Sequence, residues 1–371
     1  MNKFEITASC TFGMESILKR EIIKLGYEIK KSSDGAVTIL GDINDVYRLN
    51  LWLRTANRVL IHIATFPANS FDELYDNVKL VEWENYFKKN DKCNVSKISC
   101  VKSKLFSKSD SQRIIKKAIV DRLCSKYKIK TLPENASVYP LFVTIKNDIC
   151  TLSLNTSGES LHRRGYRLSA GEAPMKETLA AGIIRLAGYE GNCQFADFMC
   201  GSGTFIIEAA LIAGNIAPGK NRSFAFEDWN IISKKDKDAI LGEAVENEKK
   251  VELRLLGSDI DGGVLKSARQ NAIRAGVEDM VSFQKLNFSE FKSRKKNGII
   301  CVNPPYGERI GKGSNLRGMY ADMKRVYDEL ESWKMFILCA NPEFQKDFGK
   351  RADKNRKLYN GNMLTYLYEY F

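Results

Sequence analysis

The chain has 371 residues, 58 Lys and Arg against 45 Asp and Glu, a net charge of +13 and 44% hydrophobic residues. This is a globular composition, which excludes a disordered or fibrous chain. No apolar run reaches the ~18 residues of a membrane span, so no membrane partner is expected. The nine scattered cysteines, with only two histidines, argue for reduced thiols and against a bound metal.

Charge arrives early, at Glu15, Lys19 and Arg20, so no signal peptide is expected and the expected location is cytoplasmic. Residues Phe4 to Ala8 alternate like a strand, Met14 to Leu25 have helical spacing ended by Gly26, and Ala36 to Leu40 read as a second strand. A strand follows at Arg58 to Ala64, then a helix at Ser70 to Leu80 and a strand at Asn94 to Val101. Ser109 or Asp110 is expected to cap a helix running to about Tyr127. On that helix Arg113, Lys116 and Lys117 interleave with Ile114, Ile115, Ala118 and Ile119, predicting one buried face and one basic face. Two further strands, Ser137 to Ile145 and Ile149 to Asn155, meet at a turn over Lys146 to Asp148.

The basicity is local. Residues 101–150 hold 11 Lys and Arg against 4 Asp and Glu, whereas residues 1–50 balance at 7 against 7. Such a patch suits a polyanion, with RNA or DNA ahead of a membrane surface because no amphipathic anchor accompanies it.

From about residue 165 the pattern changes to strand–helix alternation, which predicts an α/β domain with a mostly parallel sheet. Strands are expected at 194–199, 253–258, 281–286, 298–302 and 334–339, and helices at 176–187, 203–214, 262–275 and 318–332. Gly361 to Phe371 reads as a closing strand, and residues 215–250 as a polar insertion.

Three strand ends carry the chemistry. Asp197 to Thr204, through Cys200, Gly201, Ser202 and Gly203, is a strand, a tight glycine turn and a helix start, where backbone can approach a ligand closely. Ile206 breaks the dinucleotide fingerprint, and Asn221 breaks the near match to a P-loop at Gly214 to Lys220. Asp259 ends the next strand, where a carboxylate suits a ribose diol, with Ile260 beside it; Asp261 is expected to cap the following helix. Asn287 and Phe288 follow the third strand, where an amide suits the edge of an adenine. Asn303-Pro304-Pro305-Tyr306 then follows a buried strand, and its two prolines force a rigid loop that exposes carbonyls, an amide and a ring.

Asn303 to Tyr306 resembles the amino-methyltransferase signature of class I S-adenosylmethionine (AdoMet) enzymes. The resemblance implies that the Asn303 side-chain oxygen and the Pro304 carbonyl accept the N–H bonds of a conjugated amine and aim its lone pair, while Tyr306 stacks on the base. Catalysis is then mainly positioning. The tetrad alone leaves adenine N6, cytosine N4 and a glutamine side chain open.

The rest of the chain resembles one family, the 23S rRNA guanine-N2 methyltransferases, either stand-alone or as the N-terminal half of a bifunctional N2/N7 enzyme. The similarity is carried by Cys100 to Phe106 with the basic helix after it, by Leu161-His162-Arg163-Arg164-Gly165-Tyr166-Arg167, by Ala173 to Ala180 and by Asn221 to Phe226. It implies a ferredoxin-like unit at 1–55, a THUMP RNA-binding domain at 56–155, a linker at 156–175 and a Rossmann-like class I methyltransferase domain at 176–371. The implied cofactor is AdoMet, and the implied partner is 23S rRNA, free or in an assembling large subunit.

Lys102, Lys104, Arg113, Lys116, Lys117, Arg163, Arg164 and Arg167 are the candidate RNA contacts. Lys176 and Glu177, at the first methyltransferase helix, stand where cofactor or substrate approaches. Met175 replaces the family's usual leucine. The sequence stops at Phe371, before any N7 half, so a single activity is expected. A tRNA guanine-N2 methyltransferase, an RNA-binding assembly factor with a vestigial site and a DNA adenine methyltransferase are the competing readings.

Overall fold

The computed structural model describes residues 3–167, 175–229, 231–305, 316–361 and 363–371. Strands β1 (Phe4–Cys10), β2 (Ile29–Ser33), β3 (Ala36–Gly41), β4 (Ala56–Pro67), β5 (Lys92–Val101), β6 (Val138–Lys146) and β7 (Ile149–Asn155) form one seven-stranded sheet, ordered β2-β3-β1-β4-β7-β6-β5. Only β5 and β6 run parallel. The pairing of β4 with β7 continues the sheet across residue 55, so the two N-terminal units share one ladder.

Helices α1 (Glu15–Lys24), α2 (Ile43–Trp52), α3 (Phe71–Leu80) and α4 (Lys108–Tyr127) pack on this sheet. They bury one alternating set of strand residues, including Ile6, Ala8, Val59, Ile61, Leu141 and Val143. The cap of α4 is Ser107, whose hydroxyl accepts from the Asp110 amide, and neither Ser109 nor Asp110 takes that place. On α4, Ile115, Ala118, Ile119 and Leu123 are buried.

The second half contains α5 (Glu177–Leu186), β8 (Phe195–Asp197), α6 (Thr204–Ala213), α7 (Lys234–Glu246), β9 (Leu255–Asp259), α8 (Gly262–Ala275) and β10 (Val281–Lys285). It continues with β11 (Ile299–Val302), α9 (Leu316–Asp328), β12 (Lys334–Cys339), α10 (Phe344–Phe348), β13 (Lys354–Asn360) and β14 (Met363–Tyr370). Its sheet is ordered β10-β9-β8-β11-β12-β14-β13, with β14 antiparallel to both neighbours. Strand order reverses between β8 and β11, which opens a crevice at their carboxyl ends. This is the mostly parallel α/β sheet that the strand–helix alternation predicts.

The insertion at 215–250 ties the halves together. Trp229 stacks on Tyr139 of β6 at 4.4 Å and donates to the Val138 carbonyl. Helix α7 packs on α2, where Glu243 pairs with Arg48 at 2.8 Å. The Arg54 guanidinium donates to the Ile216 carbonyl at 2.8 Å.

Candidate active site and RNA-facing surface

The glycine turn lies at the crevice. Gly201 and Gly203 have φ of +52° and +84°, left-handed values that favour glycine. A Cβ on Gly203 would also stand 3.0 Å from the Phe283 ring. The Cys200 amide donates to the Ser258 carbonyl, and the Gly203 amide to the Cys200 carbonyl. The Gly201 amide donates to Asp259 Oδ2 at 2.9 Å, so the turn and the acidic strand end are one assembly. The other carboxylate oxygen of Asp259 accepts from the Asp261 amide, and Asp261 caps α8 as expected. Ser258 Oγ is buried without a partner.

The side chains of Asp197 and Cys200 are buried, so what the turn can offer a ligand there is backbone. Asp197 is 2% exposed, accepts from the Met199 amide, and burial pushes its carboxyl well above the usual range. Cys200 is also buried. Thr204 is buried as well, and its hydroxyl accepts from the Arg167 guanidinium.

Around the crevice rim Ile260 is 66% exposed, an apolar surface with nothing covering it. Asn287 spends its Oδ1 on the amide and hydroxyl of Ser289. Phe288 packs on Phe198 at 5.9 Å. Asn303 follows β11, and its Oδ1 is buried with no hydrogen-bond partner among the described residues. Leaving such an acceptor unpaired costs ~1–3 kcal/mol, so this oxygen is open to a donor beyond the described residues. Pro304 is buried beside it. Tyr306 lies outside the described residues.

The candidate RNA contacts divide. Lys102, Lys104, Arg113 and Lys117 are exposed, and Arg163 too, although Arg113 pairs with Asp110 and Arg163 with Glu159. Lys116 is drawn into a pair with Glu134 and a bond to the Cys93 carbonyl. Arg164 is a correction: it is 3% exposed, donates to the Leu161 and Arg54 carbonyls, and pairs with the wholly buried Glu208 of α6. Tyr166 donates to the same carboxylate at 3.2 Å. Arg167 is likewise engaged, with Glu177 at 3.1 Å and with Thr204. These two arginines lock the linker onto the helix that leaves the glycine turn.

Phe106, 82% exposed between Lys104 and Lys108, was not singled out from sequence; an apolar ring within a lysine run is the signal that marks it. Glu208 gave no signal at all, because its partner is 44 residues away.

Family models match three segments: an RlmL ferredoxin-like domain over residues 5–60, a THUMP domain over 68–155 and an RMKL-like methyltransferase domain over 164–368. The chain belongs to the RMKL-like methyltransferase family. This is a family of AdoMet-dependent, THUMP-containing RNA methyltransferases. A Bacillus subtilis relative, YpsC, provisionally named as an RNA methyltransferase, is 39% identical over 100% of this chain and 97% of its own length. The ribosomal RNA large subunit methyltransferase K/L of Cellvibrio japonicus is 35% identical over 97% of this chain but 50% of its own length, so the chain spans half of that relative.

The solved structure of SMU.472, a methyltransferase complexed with S-adenosylhomocysteine, superposes with a TM-score of 0.94 at 38% identity, covering 100% of this chain and 98% of that one. The crevice of the RMKL-like chain fits such a cofactor: the glycine turn admits close backbone approach, and Asp259 has lone pairs to spare for a diol. Among the described residues no group of three His, Cys, Asp or Glu side chains can hold a metal ion, and no helix is long and apolar enough to cross a membrane.

Proposed function

We propose that the chain transfers the methyl group of AdoMet to the exocyclic N2 amine of a guanine in RNA, and that the RNA is 23S rRNA. The observation that carries this reading is the buried Asn303 Oδ1, without a hydrogen-bond partner among the described residues, at the crevice between β8 and β11.

The cofactor supplies an electrophilic methyl on a sulfonium; every other contribution comes from the chain. Asp259 accepts from the ribose hydroxyls while its backbone bonds hold it still. Ile260 covers one face of the adenine, and Asn287 faces its edge. Asn303 Oδ1 and the Pro304 carbonyl accept the two N–H bonds of the guanine N2, which favours a pyramidal nitrogen with its lone pair toward the methyl. Tyr306 stacks on the base. No strong base is needed, because the product ammonium is acidic and sheds its proton readily. Positioning of this kind is worth effective molarities of ~10⁵ M or more.

The THUMP match and the exposed cations favour RNA over DNA. A vestigial site would have lost the glycine turn or the asparagine, and both are in place. The test is nucleoside mass spectrometry of 23S rRNA from a deletion strain. Loss of N2-methylguanosine at one site supports the reading, and unchanged N2-methylguanosine at every site sinks it. Incubation with deproteinised tRNA and rRNA separately decides between the two RNA classes.

A further inference from the structure

The helix-packed N-terminal sheet has a second face, and its cations are organised differently from those of α4. Lys97 of β5 stands directly across the ladder from Phe142 of β6, which in turn faces Ser153 of β7. The small serine lets Arg58 of β4 reach the same ring. Arg58 and Lys97 sit over Phe142 at 5.1 and 5.5 Å from its centroid. Arg58 Nε is buried without a hydrogen-bond partner among the described residues, and the nearby Glu159 is already paired with Arg163 at 3.2 Å.

The cluster continues toward the chemistry. Between the linker, the insertion and the start of α5 lies a cavity of about 990 Å³, whose lining includes His162, Arg163, Lys176 and Arg222. Arg222 is spent on five backbone carbonyls, those of Ser157, Glu159, Ser160, Arg163 and Ser223. Lys176, at the N-cap of α5, has no ion pair among the described residues and makes no capping bond. His162 Nδ1 is buried and has no hydrogen-bond partner among the described residues. Burial and the surrounding charges of Lys176, Arg164, Arg163 and Arg58 push this imidazole down to about 4. Burial, with Arg58 and Lys176, also lowers Lys97. Glu159, Glu177 and Asp228 also line the cavity, and Arg163 and Arg167 are paired with the first two, so the cations left to meet a phosphate are Arg58, Lys97 and Lys176.

We propose that this strip, Arg58 and Lys97 on Phe142 followed by the His162–Lys176 cavity, carries a single strand of the substrate RNA from the THUMP sheet to the methyltransferase crevice. The inference rests on the RNA reading above but not on which amine is methylated. The strand's phosphates lie on Arg58, Lys97 and Lys176. One nucleotide next to the target enters the cavity, whose size falls in the ~300–1,000 Å³ range of pockets that take one small ligand and leaves no room for a duplex. His162, neutral and lacking a partner, offers Nδ1 to a base edge or a 2′-hydroxyl. A single strand also suits the chemistry, since a paired guanine keeps its N2 in the helix.

The test measures binding of a short fluorescein-labelled single-stranded oligoribonucleotide to the full chain, without cofactor, across a salt series. Lys97→Ala and Lys176→Ala are each expected to lower the slope of log K against log[salt] by about 0.7, and the double variant by about 1.4. Phe142→Leu is expected to weaken binding about two- to fivefold, with recovery in Phe142→Tyr. Lys346→Ala serves as the control. Unchanged affinity and slope in the double variant, with an unchanged melting temperature, overturns the proposal, and so does a duplex of the same sequence that competes equally well. A chain that binds through this strip yet forms no N2-methylguanosine refutes the proposed reaction and leaves the strip standing.

Discussion

The two sheets have seven strands each and do opposite work. The N-terminal sheet is mostly antiparallel, covers one face with helices and leaves Arg58, Lys97 and Phe142 on the other. The C-terminal sheet is mostly parallel, so its central strands β8, β11 and β12 are buried on both faces and offer mainly their ends. An open face can bind a long polyanion, whereas strand ends can gather a few groups around one atom. Charge therefore collects on the first sheet, and the glycine turn, Asp259 and Asn303 on the second. The linker fastens one to the other through Arg164 and Glu208.

The first way to break this division is to cut the fastening. Arg164→Ala leaves Glu208 buried without its cation and is expected to cost ~3–5 kcal/mol, read as a lower urea midpoint. Adding Glu208→Gln should recover part of that loss; an unchanged midpoint in Arg164→Ala would show that the pair does not join the halves.

A smaller effect belongs to the second sheet alone. Gly203→Ala places a side chain at φ +84° against Phe283 and is expected to weaken S-adenosylhomocysteine binding about tenfold by calorimetry, with RNA affinity unchanged. Coupled loss of both would blur the comparison. On the first sheet's side, Lys102→Ala with Lys104→Ala is expected to reduce the salt slope of RNA binding by ~0.7–0.9 per lysine while leaving cofactor affinity intact.

A further effect is on pH dependence. His162 is held near 4 in the fold against 6.5 when exposed, so the unfolded chain binds the proton first as pH falls. Stability is therefore full above about 6.5 and declines between 6.5 and 4. His162→Gln should flatten that part of a melting-temperature profile, and an unchanged profile would place the titration elsewhere.

The legible parts of the fold are those with strong local periodicity. Ala36 to Leu40 and Ile149 to Asn155 stand out because alternation or continuous apolar character marks a buried strand. Strands β2, with Ile29-Lys30-Lys31-Ser32-Ser33, and β13 escaped notice because an edge strand needs one ladder and little apolar surface. Helix α2 is marked in the sequence only by the capping box between Asp42 and Asp45. In the insertion, α7 is mostly polar and owes its place to contacts with α2.

The site divides the same way. Turn chemistry is local, so Gly201, Gly203, Asp259 and Asn303 were readable from their strand ends. The fate of an arginine is not local: Arg163 and Arg164 are adjacent, yet one is exposed and the other meets a glutamate on α6. Only tertiary packing separates them. The Arg58–Phe142–Lys97 cluster draws on three strands and left no pattern in the sequence.

The central claim is that Asn303 Oδ1 waits for the guanine N2 amine. Its most direct test is the transfer of an isotopically labelled methyl group to 23S rRNA by the intact chain and by Asn303→Ala, followed by nucleoside mass spectrometry. The account predicts label on guanosine N2 with the intact chain, none with Asn303→Ala, and near-normal cofactor binding by both. Label on adenosine N6, or wild-type rates in Asn303→Ala, would contradict it.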